Sequence, residues 1–137
     1  MSNVIGLSKY HEDNLRKLAA YLLSGELKAK FDMTYFTEYH SILENVSTEC
    51  GTVGCAAGHG PHAGIPKLAS ETWSEYIERQ FGIGLEGYNY SWCFQGDWSR
   101  LDNTPEGAGK RILWLLDKGI PENARDQCNK RVPLCYL

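Results

Sequence analysis

Apolar residues recur with the period of an α-helix in three stretches of the chain. Between His11 and Ser24 they fall at Leu15, Leu18, Ala19, Leu22 and Leu23, with Ser8 upstream as an N-cap and Gly25 where a left-handed exit belongs. Around Trp73, Ile77 and Phe81 the spacing is i, i+4, i+8, which predicts a helix capped by Ser70, running through Gln80 and closed by Gly82. In the third, Thr104-Pro105-Glu106 supplies an N-cap, an N1 proline and an early acid; Ala108, Ile112, Leu115 and Leu116 then line one face as far as Gly119. Ile120 and Pro121 fit a Schellman-type stop after it.

Elsewhere the periods mix. Lys28 to His40 reads as a connector with a short helix or an extended piece around "FDMTYFTEY". Thr52 is placed to cap a short helix over 53–59, ended by Gly60 and Pro61. In "GYNYSWCFQGDWSRLDN" the rings at 88, 90, 92 and 94 alternate, so this segment reads as loop with at most one helical turn or a short strand. The sum predicts a mainly α fold: a small single-domain bundle of three longer helices and one short helix, with aromatic-rich loops and room for a minor β element. Residues 1–10 and 122–137 are expected as peripheral arms, the latter docking through its apolar end "VPLCYL".

Composition narrows the function classes. The 137 residues fit one domain with an apolar core. Fourteen basic against seventeen acidic side chains leave a formal charge of -3, which argues against nucleic acid or an anionic membrane as partner. No run of about eighteen apolar residues occurs and no export signal opens the chain, so a cytoplasmic protein is expected. Five cysteines, at 50, 55, 93, 128 and 135, are an odd count that fits thiols or metal ligands better than a disulfide framework.

The ordered motifs "FDM", "CGTVGCAAGHGPHAGI", "ETWSEYIERQFGI" and "WCFQGDWSRLDNTPEGAGKRILWLLDKGIP" resemble those of a group of small proteins encoded by bacteriophages and prophages. The resemblance spans roughly Leu15 to Pro121. It implies a phage or bacterial setting and carries no catalytic residues with it.

Several constellations carry candidate chemistry. Gly51, Thr52, Val53 and Gly54 at a helix entry would offer backbone N–H groups to a phosphate. Tyr88, Tyr90, Trp92 and Trp98 would stack a base, while Arg100, Lys110 or Arg111 neutralises charge. Together they predict a non-enzymatic binding protein for a phosphate-bearing, nucleotide-type ligand or a host protein, acting against host defence and needing no cofactor. The alternative is a zinc- or cysteine-dependent enzyme built on Cys50, Cys55, His59 and His62, since thiolate and imidazole are the ligands zinc prefers. A helical protein-interaction module is the third reading. Structural roles compete throughout: Trp73 and Trp114 belong to the core by position, Asp102 and Glu106 suit a helix start, and "SETWSEYIERQ" reads as a solvated helix face.

Overall fold

In the computed structural model, Lys9–Leu23 forms α1, Trp73–Phe81 α2, Tyr88–Phe94 α3 and Pro105–Lys118 α4. The description covers residues 5–27, 30–31, 35–37, 40–41, 53–54, 56–84, 87–94, 98, 101–121, 123–124, 127 and 134–136; at 30, 35–37, 40–41 and 53–54 it covers the backbone alone. The architecture is mainly helical, as the periodicity predicts.

Helix α1 begins where Ser8 accepts a hydrogen bond from the His11 amide, and the chain leaves it through Gly25 at φ 76°. Its face of Leu15, Leu18, Ala19 and Leu22 is fully buried. Most of that face lies against α4, where a Cβ on Gly109 would come within 2.7 Å of Leu23 Cγ and 3.1 Å of the Ala19 carbonyl. The missing side chain is therefore what lets the two helices approach. Arg16 bridges them at the surface, 2.8 Å from Glu12 and 3.3 Å from Asp117.

Helix α2 starts two residues later than the sequence suggests. Thr72, not Ser70, is its N-cap, and Thr72 and Glu75 form a complete capping box. The shift has a cause in Glu71. Held outside the helix, its carboxylate accepts the Leu68 amide at 3.0 Å and two bonds from Arg79 at 2.6 and 2.7 Å. Glu71 is thus a buried anchor, where the sequence suggested a solvated helix face. Trp73, Tyr76, Ile77 and Phe81 bury the inner stripe, and Gly82 ends the helix at φ 68°. Asn14 on α1 donates to the Gln80 carbonyl at 2.8 Å, fixing the end of α2 against α1.

Two expectations are corrected. Residues 88–94, whose alternation allowed a strand, form the seven-residue helix α3; Tyr90, Cys93 and Phe94, at i, i+3 and i+4, are buried and Tyr88 is exposed. The helix expected over 53–59 is not formed. Val53–Gly54 is instead a strand, β4, lying parallel to β1, Lys30–Phe31, with Lys30 opposite Val53 and Phe31 opposite Gly54. Among the described residues that follow, the backbone turns at Ala57–His59 and Pro61–Ala63, each a single 3-10 turn. A β-branched residue gains from strand pairing, and a run broken by Gly58, Gly60 and Pro61 lacks the length to propagate an α-helix. Gly60 is required because a Cβ there would collide with the Tyr76 hydroxyl, which donates to the Ile65 carbonyl at 2.5 Å. The connector contributes an antiparallel pair, β2 (Tyr35–Thr37) with β3 (His40–Ser41).

Helix α4 carries the expected cap, with Thr104 Oγ1 accepting the Gly107 amide at 3.0 Å. Its exit differs from a Schellman turn: Gly119 takes φ 79° and ψ -168°, a region open mainly to glycine. The chain end docks as foreseen, and Tyr136 is part of the core.

Candidate functional site

Where α3, the start of α4 and the chain end meet, a guanidinium is sealed among aromatic rings. Arg111 sits in the middle of α4 with no exposed surface, and it is the one buried lysine or arginine among the described residues. Its guanidinium carbon lies 4.2 Å from the centre of the Trp98 ring and 5.3 Å from that of Tyr136. Trp92, Trp98 and Tyr136 meet one another edge to face, at 5.5 to 5.9 Å between centroids. Trp92 donates its indole N–H to the Arg111 carbonyl at 2.9 Å and Trp98 donates to the Ser91 carbonyl at 3.0 Å, so two walls of the box are tied to the backbone.

One side of the guanidinium is spoken for. Nη1 donates to the Tyr136 hydroxyl at 2.8 Å and more weakly to the Asp102 carbonyl at 3.4 Å. Tyr136 in turn donates its hydroxyl to Asp102 Oδ2 at 3.0 Å, and Thr104 donates to Asp102 Oδ1 at 2.6 Å. Asp102 Oδ2 itself stands 3.6 Å from Nη1, an ion pair bridged by the phenol. Gly107 makes room for this carboxylate, since a Cβ there would collide with it. Burial pushes the Tyr136 hydroxyl well above the usual phenol range, with Arg111 pulling the other way, so it stays a donor.

The other side is different. Nε and Nη2 have no hydrogen-bond partner among the described residues. These two atoms form the edge of a guanidinium that presents two parallel N–H bonds, the geometry that grips two oxygens of one anion. Leaving a donor unmatched inside a protein costs on the order of 1–3 kcal/mol, and more when the group is charged. Cys93 on α3 is fully buried, and burial pushes its thiol up to about 12 against the pull of Arg111, which disfavours the thiolate.

The structure thus joins three residues named from the sequence, Trp92, Trp98 and Arg111, in one place, with roles that differ from those expected. Trp92, Trp98 and Tyr90 are buried in the core, which leaves Tyr88, 72% exposed, as the ring of that set open to a base. Trp114, assigned to the core by position, is half-buried under Lys118, 4.1 Å from its ring centre. Val53 and Gly54 lie in a strand, so the argument from a helix entry at Thr52 lapses; Gly51, Thr52 and Arg100 lie outside the described residues. Cys50 and Cys55 do also. His59 is buried beside Phe31 and Tyr21, with the His62 ring 5.9 Å away between centroids, and the described residues hold no group of three potential metal ligands. Asp102 and Tyr136 are the partners that sequence reading missed: they sit 9 and 25 residues from Arg111, and no local spacing links them.

Fold and site together define a small, mainly helical domain with a buried arginine in an aromatic box. No family model matches the chain, and neither a curated protein nor a solved structure matches it. Among the described residues, no helix is long and apolar enough to cross a membrane.

Proposed function

We propose that this chain is a small non-enzymatic binding protein whose ligand carries an oxyanion, phosphate or carboxylate, held by the Nε and Nη2 edge of Arg111. The observation that carries this reading is the unmatched edge of a fully buried guanidinium. Buried polar groups are ordinarily satisfied, because each unmatched one weakens the fold, and a bound oxyanion supplies the two acceptors that this edge lacks. Tyr136, on the Nη1 side of the guanidinium, is carried by a segment outside the four helices and tied back by the Cys135 amide on Gln127 Oε1 at 2.9 Å. A nucleotide-type ligand would use its phosphate at Arg111 and find a ring for its base in Tyr88 alone. In the phage setting that the sequence motifs imply, the role of such a protein is to hold a small host molecule or signal.

Calorimetry with inorganic phosphate, nucleoside monophosphates and small carboxylates tests this on the wild-type chain and on Arg111→Lys, which keeps the charge and loses the paired donors. We expect saturable heat with at least one of these and at least a tenfold loss of affinity in Arg111→Lys. Silence across the panel, or equal affinity in the variant, rules the reading out.

A further inference from the structure

We infer that the group taken by Arg111 is a planar carboxylate and not a phosphate; this rests on the reading of Arg111 as a binding residue and narrows its ligand.

Charge is the first ground. Arg111 is the one buried lysine or arginine among the described residues, and Asp102, 3.6 Å from Nη1, already balances it. Among the described residues, the group that arrives at the opposite edge therefore finds no second cation in the box. A carboxylate brings one negative charge. A phosphate monoester brings close to two at neutral pH, and the cost of removing an ion from water rises with the square of its charge.

Shape is the second. The guanidinium carbon lies over the Trp98 ring, 4.2 Å from its centre, and the unmatched Nε and Nη2 define the edge at which a ligand bonds. The two oxygens of a carboxylate lie in the plane of the guanidinium when both bonds are made. A tetrahedral phosphate making the same two bonds directs its remaining oxygens out of that plane, where the described residues of the box offer them no free indole N–H. The indole N–H groups of Trp92 and Trp98 are already committed to backbone carbonyls.

The test uses the tryptophans as reporters, because Trp92 and Trp98 surround the site. The intrinsic fluorescence of the full chain is titrated at pH 7 and constant ionic strength with sodium acetate, inorganic phosphate and sodium chloride. Wild type, Arg111→Met and Arg111→Lys are measured side by side. The expected result is a saturable change with acetate, an apparent affinity for phosphate at least tenfold weaker, no response to chloride, and loss of the acetate response in both variants. Phosphate binding as tightly as acetate, with the same dependence on Arg111, overturns the carboxylate assignment and leaves Arg111 as a binding residue. A flat titration with both anions, or an unchanged response in the variants, overturns both. Should Arg111→Met fail to fold, Arg111→Lys decides by itself.

Discussion

Glu71 illustrates how one side chain changes the meaning of a motif. In sequence it belongs to a run of acids and a base spaced as surface neighbours; in the fold it is buried, with Arg79 and the Leu68 amide closing on its carboxylate. The bonds from Arg79, aided by the Leu68 amide and opposed by burial, hold its carboxyl below the usual carboxylate range. The folded state therefore favours the ionised form. Its stabilisation is fully present above the unfolded value, near 4.3, and is lost as the pH falls through the lowered folded value. Glu71→Gln should lower Tm at pH 7, by about 1 kcal/mol of stability, and flatten the acid limb of a plot of Tm against pH. An acid limb as steep as that of the wild type would mean that Glu71 does not set it. Burial of Glu71 has no signature in the sequence, because the partner that determines it is eight residues away and a helix capped at Ser70 would carry Glu71 in its first turn, where an acid is expected at the surface. Ser8, Thr104 and Gly82 were legible for the opposite reason: caps act on backbone within one turn.

At the scale of elements, two glycines of α4 do separate work. Gly109 sets the distance to α1, where a Cβ would meet Leu23 and the Ala19 carbonyl, while Gly107 opens space for the Asp102 carboxylate. Gly109→Ala should cost about 1–3 kcal/mol through overpacking, leaving ligand affinity unaltered in the fraction that is folded. Gly107→Ala should displace Asp102 and with it the Tyr136 hydroxyl, so its effect on affinity should exceed that of Gly109→Ala. Denaturant melts paired with the calorimetric titration separate the two; equal effects on affinity would contradict this division. The three longer helices were readable because each repeats its apolar period over nine or more residues. Helix α3 was not, since seven residues with rings at alternate positions satisfy a strand and a helix equally well. The segment after Cys50 misled in another way: Val53 and Gly54 have a pairing partner in Lys30 and Phe31, more than twenty residues earlier, and that competition is invisible to a local reading.

For the whole molecule, the tail joins the site to the fold. Tyr136 closes the aromatic box, bridges Arg111 to Asp102 and belongs to the same core as α1 and α4. The sequence reading names the aromatic segment and Arg111 together, and the fold brings Trp92, Trp98 and Arg111 to one place. It could not say that Trp92 and Trp98 would turn inward, because stacking on a ligand and packing in a core ask for the same residues. What survives is one charged edge without a partner among the described residues, and the account depends on it. NMR of the arginine side chains observes that edge directly, through the 15Nε–H signal of Arg111, identified by its absence in Arg111→Lys. On addition of sodium acetate the account predicts that this signal alone among the arginine Nε–H signals moves in a saturable way and exchanges more slowly with water. An Arg111 Nε–H signal already slow to exchange and indifferent to acetate and phosphate would show the edge to be satisfied within the fold, and would contradict the account.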